Sequence, residues 1–251
     1  MKLDATYKIT ISGLLLALII IFTRFLSLQN IPVIPFVRIS LGPGLIIFSS
    51  IFLGPIYGGI IGGLSDILGI LLVPNSLGYS INPWLTLVYT FLGILPWCIY
   101  QIFKRVKSEK IMFIIFSSIL LALWIFILIY GLTHDSVSSH VFELYEKILI
   151  FVISFVLFMI SDIGIYFIGR YFKKKTSLSV MNIAFTCLIS EIIVLLILNS
   201  FVKSFFFEIN FWIIFFAQSV VFFIDIPLNT FLVSYLLKIT AKIFLKGENN
   251  G

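Results

Sequence analysis

Eight apolar stretches separated by short polar, glycine or proline punctuation constrain this chain more than any other feature. A helix that crosses the hydrocarbon core needs about 20 consecutive apolar residues. Stretches of that kind lie at 9–28, 56–73, 84–103, 111–132, 147–169, 181–202 and 211–237. A shorter one, SLGPGLIIFSSIFL, covers 40–53 and follows the proline-rich segment QNIPVIPFVR at 29–38. It predicts a span that is tilted, extended by its flanks, or shielded by protein. Gly54 and Pro55 mark a turn after it. The longest polar stretch, THDSVSSHVFELYEK at 133–147, leaves no room for a soluble domain in these 251 residues. With 61% hydrophobic and 11% charged residues, the chain is neither a water-soluble globule nor disordered. The fold class is therefore all-α, a polytopic integral membrane protein with about eight transmembrane helices, forming one transmembrane domain over 1–251.

Lysine and arginine orient the spans. With the N-terminus inside and the spans alternating, thirteen of the 17 basic residues fall on inner segments. The outer four are Arg24, Arg38, Lys147 and Lys203. Cytoplasmic loops are enriched in basic residues, so both termini are expected in the cytoplasm of a multi-pass cell-membrane protein. The bias also accounts for the net charge of +6 without any nucleic-acid partner. No cleavable leader is expected, because the first stretch is long and no A-x-A-like site follows it.

Nothing in the sequence argues for an enzyme. No G-x-x-x-x-G-K-[ST], G-x-S-x-G or H-E-x-x-H pattern occurs. His134 and His140 lack the spacing of a helical metal pair, and no metal or cofactor is expected. Cys98 and Cys187 fall in separate spans and read as buried free thiols. ATP-driven transport would need an ATPase on another subunit.

Several residues break the pattern and mark candidate sites. Arg24 and Arg38 sit near the outer face, where basic residues are scarce. A guanidinium forks onto carboxylates, so the two suggest capture of an anionic ligand. They could equally snorkel to headgroups or pair with loop carboxylates. The next outer loop carries Tyr79, Asn82 and Trp84, which can anchor an interface or stack on a flat ligand. Gly13 and Ala17, four apart in the first span, allow close approach of an internal helix or of another subunit. The third span has its own small face at Gly58, Gly59, Gly62, Gly63 and Gly69. Asp66, Asp162, Glu191 and Asp225 lie inside spans and could form a proton relay. Structural hydrogen bonding is the favoured reading, with Ser161, Gln218 and Asn229 as available partners.

Four segments carry a family resemblance: FTRFLSL (22–28), VRISLGPGLIIF (37–48), FLGPIYGGIIGGLSDILGILLVP (52–74) and PWLTLVYTFLGIL (83–95). Their order resembles the substrate-binding S components of energy-coupling-factor vitamin transporters, with the folate-specific members the most similar. The resemblance implies binding of a vitamin, here folate, on the external side. It implies partnership with a transmembrane coupling subunit and two cytosolic ATPases within the lipid bilayer. It also implies a small-x-x-x-small face for the coupling subunit on helix one, which Gly13 and Ala17 match. The substrate-binding set is then Arg24, Arg38, Ser40, Tyr79, Asn82 and Trp84. Family members usually have six helices. Residues 1–107 would supply the first four, 108–176 an inserted helix pair, and 177–251 the last two. The competing expectations are another vitamin such as riboflavin or pantothenate, a membrane scaffold resembling rod-shape assembly proteins, and a proton-coupled carrier.

Overall fold

The computed structural model describes residues 4–31, 34–73, 82–106, 108–134, 136–137, 140–141, 144–173 and 179–248. Its first helix, α1 (Ala5–Ile20), continues into a π-helical turn at Ile21–Phe25. A small hairpin follows, β1 (Leu28–Ile31) against β2 (Ile34–Ile39), with Leu28 opposite Ile39 and Gln29 opposite Arg38. Then come α2 (Gly42–Leu53), α3 (Pro55–Leu72), α4 (Pro83–Phe103) and α5 (Glu109–Thr133). A minimal pair, β3 (Ser136–Val137) and β4 (His140–Val141), leads to α6 (Leu144–Lys173). The chain then runs through α7 (Val180–Glu191), a π-helical stretch at Ile192–Leu198, α8 (Asn199–Phe207) and α9 (Phe211–Glu248). Among the described residues, seven helical segments are long and apolar enough to span a membrane, and α2 is a shorter apolar helix beside them. The polytopic all-α expectation therefore holds, with two hairpins added in the connections.

The short second span has a physical explanation. At 12 residues, α2 is about 18 Å long against a hydrocarbon core of about 30 Å. The hairpin occupies part of the missing length. Its last residue, Ile39, packs on Ala217 and Val221, which lie well inside α9 rather than at its start. Ten of the twelve α2 residues are buried. Shielding by protein, one of the three expected remedies, is the one observed. Gly54, at φ 99°, makes the sharp reversal from α2 into α3.

Glycine allows α3 and α4 to touch backbone to backbone. A Cβ on Gly58 would strike the Gly93 carbonyl, and one on Gly62 the Tyr89 carbonyl. Small residues at such a contact replace hydrophobic driving force with close dispersion packing. Pro96 interrupts α4, and the nearby Trp97 N–H donates to Ser50 Oγ of α2 at 3.1 Å. A neighbouring helix thus satisfies backbone disturbed by proline.

The buried apolar side chains form two main clusters. One joins α1–α4 to α7 and α9, through residues such as Ile19, Ile46, Leu92, Ile183 and Val233. The other joins α5 and α6 to the opposite faces of α7 and α9, through Phe116, Ile165, Phe185 and Phe223. On α7, Ile183 and Cys187 face the first cluster, while Met181, Ala184, Phe185 and Leu188 face the second. The spacing of each set is that of one helix face. Cys98 is exposed, contrary to expectation, because its position on α4 points away from both clusters; Cys187 is buried.

Candidate functional site

The π-helical turn at the end of α1 carries Arg24. Thr23 beside it is anchored by its Oγ1, which donates to the Ile19 carbonyl at 2.7 Å. Arg24 reaches across to α3, where its Nη2 lies 3.7 Å from Asp66 Oδ1 and donates to the Asp66 carbonyl at 3.4 Å. The two side chains are only 5% and 7% exposed. Thr86 Oγ1, in the first turn of α4, donates to Asp66 Oδ2 at 2.9 Å. Gly69, one turn beyond Asp66, gives the guanidinium room: a Cβ there would stand 2.5 Å from Arg24 Nε. One carboxylate therefore ties together the ends of α1, α3 and α4. Arg24 is paired as one expectation held, but with a helix carboxylate rather than a loop one.

Asn82 is the N-cap of α4, and its Oδ1 accepts the Trp84 N–H at 2.9 Å. The same device opens α9, where Asn210 Oδ1 accepts the Trp212 N–H at 2.9 Å. Trp84 and Trp212 are 56% and 51% exposed. Each indole thus stands half-exposed at a helix start, the position of an interfacial anchor. Ser40 is partly buried at the junction of β2 and α2. Arg38 lies in β2, paired through its backbone with Gln29, and its side chain is outside the described residues. Tyr79 also falls outside the described residues. The structure thus brings Arg24, Asp66, Thr86 and Asn82 to one end of the α1–α3–α4 group. Asp66 and Thr86 were not expected in this constellation.

Two of the other three membrane acids, Asp162 and Glu191, find partners across helices. Ser117 Oγ donates to Asp162 Oδ1, joining α5 to α6. Asn229 Nδ2 donates to Glu191 Oε1 at 2.9 Å, joining α9 to α7, and Asn229 Oδ1 stands against Gly44 of α2. Asp225 Oδ1 is buried without a hydrogen bond. Gln218 bonds instead to Ser200, at 3.3 Å. Among the described residues, no three His, Cys, Asp or Glu side chains converge on a metal-sized site.

Gly13 and Ala17 are exposed on α1, and a Cβ on Gly13 would meet nothing within 4 Å. The small face points away from the rest of the chain. Among the described residues, no internal helix covers it.

A family model described as "ECF transporter, substrate-specific component" matches residues 7–160. The curated folate transporter FolT of Clostridium novyi (strain NT) is 32% identical over 98 residues, covering 39% of this chain and 52% of that protein. The chain thus spans about half the length of this relative. No solved structure matches. The chain belongs to the family of substrate-specific components of ECF transporters.

Proposed function

We propose that this chain is the vitamin-binding subunit of an ATP-driven importer, and that its vitamin is folate or a related pterin. The buried Arg24–Asp66–Thr86 network carries the reading. It holds a guanidinium at a fixed place at one end of the α1–α3–α4 group, next to the helix start that carries Asn82 and Trp84. The likeness to a folate transporter supports folate over other vitamins. Folate has two carboxylates and a flat ring. Arg24 and Arg38 would take the acidic end, Ser40 and Asn82 would hydrogen-bond, and Tyr79 and Trp84 would stack on the ring. Asp66 serves as a positioning residue that aims Arg24.

The outward Gly13–Ala17 face would receive the transmembrane coupling subunit. Two cytosolic ATPases would supply hydrolysis, with both termini of this chain in the cytoplasm. Residues 108–176, holding α5 and α6, are an inserted pair in this reading. Their packing through a second apolar cluster on α7 and α9, beside that of α1–α4, supports it.

The test is direct binding to the detergent-purified chain, by tryptophan quenching and calorimetry. Tight folate binding, with at least a tenfold loss in a folded Arg38→Ala variant, supports the assignment. If riboflavin or pantothenate binds and folate does not, the vitamin is wrong and the class stands. Failure of the whole vitamin panel removes the importer reading and favours a scaffold.

A further inference from the structure

A cavity of about 530 Å³ opens where the start of α5, the end of α6 and the start of α7 meet. It lies in the α5–α6 half of the molecule, away from the Arg24 network. Its lining has two characters. Phe113 and Ile165 form an apolar wall, and the Phe113 and Tyr166 rings meet edge to face at 6.2 Å. At one end stand Lys110 and Arg170, both exposed, with Glu109 as the acidic member.

The rim of the groove is exposed and largely apolar. Ile114 and Tyr166 on its rim are 63% and 53% exposed. The basic end coincides with the ends of long apolar helices, where a bilayer meets water. The flanking sequence is more basic still, with KRVKSEK at 104–110 and RYFKKK at 170–175. An apolar trough that ends in cations at a membrane boundary complements an acyl chain attached to an anionic headgroup. A soluble anion would leave the trough empty, and a zwitterionic lipid would set its own cation against Lys110 and Arg170.

We propose that this groove holds an anionic phospholipid, with its phosphate between Lys110 and Arg170 and an acyl chain against α5 and α6. The inserted pair then does more than enlarge the fold. It gives the chain a fixed lipid beside α7, one of the two helices that both apolar clusters share.

The full chain in detergent is titrated with phosphatidylglycerol or phosphatidylcholine, and the lipid-bound fraction is read by native mass spectrometry. Phosphatidylglycerol is retained at least tenfold better. The double variant Lys110→Gln with Arg170→Gln loses about 30-fold of that affinity, the effect of two interfacial charges. Gly169→Leu supplies a second arm. A Cβ at Gly169 meets nothing within 4 Å, so the leucine enters the cavity while improving helix propensity. It blocks the lipid without lowering the melting temperature. Lys8→Gln with Lys242→Gln, which removes two charges elsewhere, leaves retention unchanged. Equal retention of the two lipids overturns the proposal. So does full retention in Gly169→Leu, equal loss in the control pair, or inorganic phosphate at millimolar concentration displacing the lipid completely.

Discussion

Asp66→Asn is the sharpest test of the network that joins α1, α3 and α4. The substitution keeps the size of the side chain and an oxygen for Thr86 Oγ1 to bond, and removes only the charge. Arg24 Nη2 stands 3.7 Å from Asp66 Oδ1 with both side chains almost fully enclosed. At that separation, with an effective dielectric near 20, the attraction is about 4 kcal/mol. Removing one member of a buried pair costs about 3–5 kcal/mol, because the other charge is left uncompensated. Asp66→Asn should therefore destabilise the chain by about 3 kcal/mol, and Arg24→Gln by a similar amount. Arg24→Gln with Asp66→Asn should lose no more than either alone, since no charge then stays stranded. The assay is denaturant-induced unfolding in mixed micelles for the four proteins of the cycle, with tryptophan fluorescence as the signal. Single variants that each lose under about 1 kcal/mol, or a double variant that loses their sum, would refute the reasoning.

Gly62→Ala should destabilise by about 2 kcal/mol or more, because its methyl group meets the Tyr89 backbone carbonyl, which cannot swing away; thermal melting reads this directly. Asn229→Leu should cost about 2–3 kcal/mol by stripping the fully buried Glu191 of its donor, and Glu191→Gln should restore part of the loss in the same melt. Gly13→Leu should leave melting unchanged, since open space surrounds that position, yet abolish co-purification with the coupling subunit; unchanged co-purification would remove α1 as the docking face.

The hydropathy pattern located the helices well because in a bilayer each spanning segment must satisfy its own backbone. The expected 84–103 and 111–132 became Pro83–Phe103 and Glu109–Thr133. The first span shifted from 9–28 to 5–25, because LSL at 26–28 is apolar yet belongs to the connection into the hairpin. That hairpin was hidden behind two prolines, although IPFVRI can alternate along a strand. The Arg24–Asp66 pair was legible only in halves. Each charge stood out in its own span, but joining residues 42 positions apart requires knowing that α1 and α3 run side by side. A signal did exist, because both charges lie close to the outer end of spans expected to run in the same direction. The roles of Asn82 and Trp84 needed the helix start itself, where the asparagine caps and the indole stands half-exposed.

The shortness of α2 reaches into the biosynthesis of the chain. A translocon sorts nascent segments by how readily each one alone partitions into lipid. Twelve residues are too short to be accepted as an independent span, however apolar they are. Nor can α2 wait in lipid for partners, because its ends would leave unpaired backbone groups in hydrocarbon. Gly54 leaves no spacer between α2 and α3, so the two must be delivered as one hairpin, with α3 supplying the hydrophobic length. Even then α2 reaches its enclosed position only after α9, made long after it, has supplied Asn229 against Gly44. Settling of α2 therefore waits for α9, and truncations that remove α9 should leave the second span unsettled and open to quality-control proteolysis.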